Sequence, residues 1–356
     1  MDGELLLLGV KGAELTVDEA ALFKKLQPAG YILFTRNIVS ARQVRKLTDD
    51  LRSLSELEPI ISIDQEGGRV TRTKDIAPVL PSASAFAAKP EVEQIARAGE
   101  ATAELLRLLG VNLNFAPVLD LDHFPGLQNA LRQRCWGRDP QDVINRAGMW
   151  NRWTRKRGML SCGKHFPACG RAQCDPHEDL PSSDATIEEM MKEDVIPYTA
   201  LMPELDSIML AHVMFPSIDK EFPASLSKKI VTGWLRGQLG FDRHLVMTDD
   251  LDMGAIMKRY GRGEDAKLAI AAGNDLAMIC HQTDSAEIAA KSIGEISSWL
   301  RDDSKERLGK FRKKMDAPVA WSDARWEAAC EKISDIAAKI PEPEVGDEAR
   351  SAVTEY

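Results

Sequence analysis

Residues 60–72 have the sequence Ile-Ile-Ser-Ile-Asp-Gln-Glu-Gly-Gly-Arg-Val-Thr-Arg, in which a short apolar run stops abruptly at a charged loop. Short continuous apolar runs bounded by polar residues are typical of strands buried in a parallel sheet. The segment therefore predicts a buried strand over Ile60–Ile63, with charged side chains at the carboxyl end of that strand.

The same pattern occurs eight times within the first 285 residues. Amphipathic segments typical of helices separate many of these runs: Ala41–Leu54, Val92–Leu109, Gln141–Lys156, Ile187–Leu201, Lys228–Leu239 and Gly263–Ala272. Alternation of strands and helices predicts βαβ units in a parallel sheet. The eight apolar runs are Glu4–Gly9, Tyr31–Phe34, Ile60–Ile63, Val111–Phe115, Leu160–His165, Ser207–Ala211, Leu245–Thr248 and Leu276–Cys280.

Eight such units match the size of a closed (β/α)₈ TIM barrel. A doubly wound open sheet is the alternative, but the first strand is not followed by the GxGxxG sequence of a dinucleotide-binding turn. We therefore predict an α/β fold with one barrel domain over residues 1–285. Helical patterns over Asp284–Leu308 and Trp321–Ile340 predict a C-terminal helical appendage, residues 286–340, that packs on the barrel. Residues 341–356 are acidic and are expected to form a flexible tail.

Composition excludes several classes of protein. The 356 residues carry 46 Lys plus Arg against 55 Asp plus Glu, a formal charge of −9, which argues against nucleic acid as the main partner. The sequence contains no run of 18 apolar residues, so it predicts no transmembrane helix. The N-terminal apolar run is too short for a signal peptide. Six cysteines in such a chain are expected to be thiols of a reducing compartment, so a cytoplasmic location is expected. The oligomeric state stays open.

Charged residues follow nearly every predicted strand. Active sites of TIM barrels lie at the carboxyl ends of the strands, and an unpaired buried charge is expensive, so this rim predicts an active site. Retaining glycoside hydrolysis needs a carboxylate nucleophile, a separate acid/base and polar groups that bind the sugar hydroxyls. Side chains of the right type for that binding are Asp64, Arg72, Lys164 and His165.

Five blocks of sequence resemble the single-barrel bacterial β-N-acetylglucosaminidases of glycoside hydrolase family 3, in the order of that family. They are Gly30-Tyr-Ile-Leu-Phe-Thr-Arg-Asn37; Ile63-Asp-Gln-Glu-Gly-Gly-Arg-Val-Thr-Arg72; Asn114-Phe-Ala-Pro-Val-Leu-Asp120; Lys164-His-Phe-Pro167 with Asp175-Pro-His-Glu-Asp-Leu-Pro181; and Pro223-Ala-Ser-Leu-Ser227 followed by Leu239-Gly-Phe241 and Thr248-Asp-Asp-Leu-Asp-Met253.

The resemblance implies a retaining exo-β-N-acetylglucosaminidase that acts on a small carbohydrate with terminal N-acetylglucosamine and needs no cofactor or metal. It implies that Asp249 is the nucleophile, that His177 is the acid/base and that Asp175 is the dyad partner of His177. The implied sugar-binding residues are Asp64, Arg72, Arg134, Lys164 and His165.

The chain departs from the family where the pattern Lys-His-Phe-Pro-Gly-His-Gly-Asp is expected. Cys169 stands at the second histidine, Arg171 stands at the aspartate, and Pro176 separates the two dyad residues. Pro176 is expected to stiffen that segment. The changes leave the implied chemistry in place but leave the identity of the aglycone open.

Other functions stay open. A phosphorylase of the same family would use phosphate in place of water, because an imidazole repels phosphate less than a carboxylate does. A second alternative is a barrel that binds sugar without catalysing its turnover. A metal-dependent hydrolase is the third, although the spacing of the potential zinc ligands fits no standard pattern. Trp136 and Phe166 are aromatic residues that could stack on a sugar at the barrel mouth. The potential zinc ligands are Cys162, His165, Cys169, Cys174 and His177.

Overall fold

The computed structural model describes residues 2–125, 129–172 and 175–342. Eight parallel strands close into a barrel in which each strand pairs with its sequence neighbours and β1 pairs with β8. The predicted barrel is therefore confirmed, as are its eight strands. They are β1 Leu6–Gly9, β2 Gly30–Leu33, β3 Ile60–Ile63, β4 Leu113–Asn114, β5 Leu160–Phe166, β6 Ser207–Leu210, β7 Leu245–Asp250 and β8 Leu276–Ile279. A small antiparallel pair, Gln65–Gly67 with Val70–Thr71, follows β3.

Helices surround the barrel. Their apolar faces form one core cluster with the outward-facing strand residues, while the inward-facing residues form a second cluster inside the barrel. The α-helices are α1 Val17–Leu26, α2 Ala41–Leu54, α3 Ala83–Ala88, α4 Val92–Leu108, α5 Pro140–Arg155, α6 Ile187–Lys192, α7 Ile196–Leu201, α8 Gly254–Met257, α9 Glu264–Ala272, α10 Ala286–Ile293, α11 Ser298–Arg312 and α12 Asp323–Lys339. A helix with π-type hydrogen bonds spans Lys229–Gln238.

Two predicted helices are each divided in the structure. The segment Ile187–Leu201 forms α6 and α7, and Pro197 lies in the first turn of α7, where its missing N–H is tolerated. The segment Asp284–Leu308 forms α10 and α11, with a turn between them that buries Ile296 in the core. Amphipathic periodicity alone does not mark such breaks, because the apolar face continues on both sides of the turn.

The C-terminal helix α12 packs against α4 and buries Ala329, Ile333 and Ile336 in the main core cluster. The predicted division at residues 285 and 340 stays a prediction, and residues 343–356 of the predicted tail lie outside the described residues. No described helix is both long and apolar enough to span a membrane. The five described cysteines are free thiols, and Cys174 lies outside the described residues.

Candidate active site

A cavity at the carboxyl end of the barrel collects the residues that the sequence singled out. Seven of the eight predicted site residues line this cavity, and the eighth, Asp175, lies beside it and contacts His177. The seven that line the cavity are Asp64, Arg72, Arg134, Lys164, His165, His177 and Asp249.

Successive side chains of a strand point to opposite faces of the sheet, and this alternation explains why these side chains converge. Ile60, Leu160 and Leu245 begin β3, β5 and β7 and face the interior of the barrel. Residues separated by an even number of positions in a strand lie on the same face. Four positions further along, at the carboxyl ends of the strands, the inward-facing residues are Asp64, Lys164 and Asp249.

A network of buried ion pairs forms one wall of the cavity. The Lys164 Nζ atom lies 2.7 Å from Asp64 Oδ1 and 2.6 Å from Glu66 Oε1. The Arg134 guanidinium donates two hydrogen bonds of 2.8 Å to Glu66, and Arg72 Nη2 lies 3.5 Å from Asp64 Oδ2. Such charged groups in fixed positions are suited to hydrogen bonds with sugar hydroxyls.

The charges of this network reinforce one another. Burial alone would raise the pKa of Glu66, but Arg134 and Lys164 outweigh burial and hold that pKa well below its usual range. Burial likewise opposes the charged form of Lys164, yet Asp64 and Glu66 raise the pKa of the ammonium. The carboxylates therefore stay anionic and Lys164 stays cationic at neutral pH.

Glu66 was not among the residues predicted for the site, although its side chain is the centre of the network. It lies two residues after Asp64 in extended chain, so both carboxylates face Lys164. That spacing was a signal available in the sequence.

Asp120 was also left without a site role. Its Oδ2 atom lies 2.8 Å from His165 Nδ1 and accepts a 2.9 Å hydrogen bond from the His165 backbone N–H. Its Oδ1 atom accepts a hydrogen bond from Gly170 N at 3.1 Å. A carboxylate accepts hydrogen bonds only, so Nδ1 of His165 carries the proton, and Nε2 lies 3.3 Å from Arg134 Nη2. Asp120 therefore orients His165 toward Arg134.

His177 is held by Asp175 in the same way. The His177 Nδ1 atom lies 2.6 Å from Asp175 Oδ1, which also accepts a 2.9 Å hydrogen bond from the His177 backbone N–H. Burial raises the pKa of Asp175, but the hydrogen bond and charge of His177 outweigh burial, and the net pKa is lowered. The carboxylate fixes the proton on Nδ1, which leaves Nε2 as the nitrogen that can exchange a proton with a ligand.

The two neighbouring carboxyls at the end of β7 have different surroundings. Asp249 lines the cavity, and its Oδ1 accepts a hydrogen bond from Asp250 N at 2.8 Å. The Asp250 side chain is buried, its Oδ1 accepts from the N–H groups of Asp252 and Cys280, and its Oδ2 has no hydrogen-bond partner among the described residues. Burial and the nearby carboxylate of Asp252 raise the pKa of Asp250 to about 8.

We expect Asp250→Asn to flatten the dependence of stability on pH. The ordinary pKa of an aspartate side chain, which Asp250 has in the unfolded chain, is 3.8. Between that value and about 8, native Asp250 keeps a proton that the unfolded chain has released, so stability falls as pH rises through this window. The melting temperature of the wild type should therefore fall more than that of the variant between about pH 5 and about pH 9. Parallel melting curves for the two proteins would contradict the assignment.

The aromatic prediction for the barrel mouth is wrong. Trp136 is buried and stacks on Phe86, and Phe166 is buried against Tyr198 and Trp234. Burying these two rings between the barrel and its helices removes their apolar surface from water, which is more favourable than exposing them at the barrel mouth. Phe34 lines the cavity instead, with the Arg72 guanidinium 5.4 Å from the ring centroid.

The potential zinc ligands of the alternative metal-dependent hydrolase do not form a cluster among the described residues. In those residues the one group close enough to share a metal ion is His123, Glu193 and Asp194. Arg171 already pairs with both carboxylates, at 2.6 Å to Asp194 and 2.9 Å to Glu193. This departure from the family pattern therefore forms a salt bridge outside the cavity. Cys174, one of the potential zinc ligands, lies outside the described residues.

Comparison with known proteins identifies the family. The glycosyl hydrolase family 3 N-terminal domain matches residues 3–310. The chain belongs to glycoside hydrolase family 3. A β-hexosaminidase of Pseudomonas aeruginosa is 34% identical over 294 residues, which cover 82% of this chain and 87% of that protein. This member of family 3 is therefore a glycoside hydrolase.

Solved structures of family 3 share its fold. The family 3 β-N-acetylglucosaminidase from Paenibacillus sp. str. FPU-7 superposes with a TM-score of 0.85 at 33% identity, over 94% of this chain and 67% of that one. NagZ from Neisseria gonorrhoeae, in complex with N-trifluoroacetyl-D-glucosamine, superposes with a TM-score of 0.82 at 26% identity, over 95% of this glycoside hydrolase and 99% of that chain.

Proposed function

We propose that this family 3 glycoside hydrolase is a retaining exo-β-N-acetylglucosaminidase. The names of its relatives support the substrate: one is a β-hexosaminidase, one is a β-N-acetylglucosaminidase, and one binds an N-acylated glucosamine. Asp249 is proposed as the nucleophile and His177, with Asp175, as the acid/base. The sugar is proposed to bind to Asp64, Arg72, Arg134, Lys164 and His165.

One observation carries the proposal. A carboxylate and an imidazole whose Nδ1 is fixed by a second carboxylate line one cavity, together with a buried network of cations and carboxylates. The carboxylate Asp249 and the imidazole His177 are the two groups that a retaining hydrolysis needs, and the network supplies hydrogen bonds to the hydroxyls of the ring.

The proposed reaction has two steps. In the first, an Asp249 oxygen attacks the anomeric carbon, the glycosidic C–O bond breaks, and His177 gives its Nε2 proton to the leaving oxygen. In the second, Nε2 takes a proton from water while that water attacks the anomeric carbon and releases Asp249. Asp175 stabilises the imidazolium that exists before the first step and after the second.

The identity of the acceptor and the location of the enzyme are further parts of the proposal. We propose water as the acceptor, and we propose that the enzyme works in the reducing cytoplasm. Turnover of a chromogenic β-N-acetylglucosaminide that depends on added phosphate would indicate the phosphorylase instead. Proton NMR of the first sugar released tests retention: the β-anomer is expected, and the α-anomer would contradict the mechanism.

We expect His177→Ala to slow hydrolysis in a way that depends on the leaving group. General acid catalysis typically contributes about 10²- to 10⁴-fold. The loss in kcat/KM should reach that size for an alkyl β-N-acetylglucosaminide, whose leaving oxygen needs a proton. A 2,4-dinitrophenyl glycoside needs no proton, so its kcat/KM should stay near the wild-type value. Equal losses for both substrates would contradict the role of His177 as the acid.

A further inference from the structure

Backbone atoms connect the segment that follows Asp249 to the segment that carries His177. The N–H of Gly254 donates a hydrogen bond of 3.1 Å to the carbonyl oxygen of His177, and the N–H of Ala255 donates one of 3.1 Å to the carbonyl oxygen of Pro176. Gly254 is buried at this contact. The carbonyl of the dyad histidine is therefore held by the chain segment that contains the proposed nucleophile.

The close approach leaves no room for a side chain at position 254. A Cβ atom on Gly254 would lie 2.7 Å from the carbonyl oxygen of His177 and 2.5 Å from that of Glu178. Both are backbone atoms, so they cannot move aside by a change of rotamer. A larger residue at position 254 would have to displace the chain that carries His177.

Two exposed side chains make further contacts between the segment that follows Asp249 and the segment that carries His177. The Lys258 Nζ atom donates to the carbonyl oxygen of Glu178 at 2.5 Å, and Arg259 Nη2 lies 3.1 Å from Asp179 Oδ1. Exposed contacts of this kind contribute little energy each. They add to the Gly254 contact by binding the two residues that directly follow His177.

We propose that Gly254 is a positioning residue that sets the place of His177 relative to Asp249. Asp249 is the last residue but one of β7, and Gly254 is the first residue of α8, four residues after that strand ends, so the contact ties the acid/base to the short segment that carries the nucleophile. The inference rests on the proposed function, because it needs His177 to act as the acid. Reacting groups must be held within a fraction of an ångström of their working geometry.

Gly254→Ala in the full-length enzyme tests the proposal. The kcat/KM for an alkyl β-N-acetylglucosaminide should fall about 10²-fold, as expected for a displacement of about 1 Å at the acid. The kcat/KM for the 2,4-dinitrophenyl glycoside should stay near that of the wild type, because this leaving group needs no proton. A purely structural role would instead reduce the rates for both substrates together.

Two further variants keep the test informative if Gly254→Ala folds poorly. Lys258→Ala with Arg259→Ala alters only exposed side chains and should give the same leaving-group dependence with a smaller loss. Gly261→Ala is the matched control, since no atom lies within 4 Å of the Cβ position there, and it should leave both rates unchanged.

The outcomes separate this proposal from the proposed function. If His177→Ala shows the leaving-group dependence and the Gly254 and Lys258/Arg259 variants do not, the positioning role is overturned and the acid assignment stands. If His177→Ala lacks the dependence as well, both are overturned. Equal losses for the two substrates in Gly254→Ala also overturn the positioning role.

Discussion

Asp249→Ala is expected to reduce kcat for every β-N-acetylglucosaminide by about 10⁴-fold or more, comparable to the loss of a nucleophile in other covalent mechanisms. Unlike the change at His177, this loss should not depend on the leaving group, because both alkyl and dinitrophenyl glycosides must be attacked by the carboxylate. The fold should persist, because Asp249 is partly exposed to the cavity and its side chain accepts a local hydrogen bond from Asp250.

Azide makes the test of Asp249 specific. In the alanine variant, azide can enter the space of the carboxylate and attack the anomeric carbon of a dinitrophenyl glycoside, which should restore turnover and give the α-glycosyl azide. Asp242→Ala, an exposed acidic residue before the amino end of β7, is the matched control and should keep full activity. Hydrolysis that persists in Asp249→Ala would indicate a different nucleophile, such as the acetamide of the substrate.

The sequence predicted the barrel because each strand is a short apolar run that is buried on both faces. Ile60–Ile63 and Leu276–Ile279 are buried along their whole lengths, which leaves continuous apolar runs that are easily recognised. Helix breaks were harder to predict. The turn between α10 and α11 buries Ile296, so the apolar pattern continues through it.

The candidate site was predicted as far as its residues follow strand ends or match a family motif. Asp64, Lys164 and Asp249 could be placed on one rim because each lies four positions after the start of its strand, on alternate strands of the barrel. The partners of these residues could not be predicted in this way. Asp120 orients His165, and Gly254 contacts His177, through approaches that only the folded chain creates. A glycine or an aspartate alone has no pattern that reveals such a contact.

Lys164→Met is expected to lower the free energy of unfolding by about 3–5 kcal/mol, the range for removing one partner from a buried ion pair. Lys164 is buried, and its ammonium contacts the carboxylates of both Asp64 and Glu66. Methionine matches the length of the lysine stem but leaves both carboxylates without the shared cation. Because a domain is stable by only about 5–15 kcal/mol in total, urea unfolding followed by circular dichroism should detect the change easily.

A double-mutant cycle distinguishes the ion pair from a simple packing defect. In Glu66→Gln one of the two carboxylates is already neutral, so adding Lys164→Met to that variant should lower stability by less than it does in the wild type.

The pH dependence of stability is a second test of the ion pair. Lys164 lowers the pKa values of Asp64 and Glu66, so the stability that it supplies is present above the unfolded pKa of a carboxyl and is lost as pH falls. The difference between wild type and Lys164→Met should therefore shrink in acid. A difference that is constant with pH, together with additive effects in the cycle, would mean that the lysine contributes only through its stem.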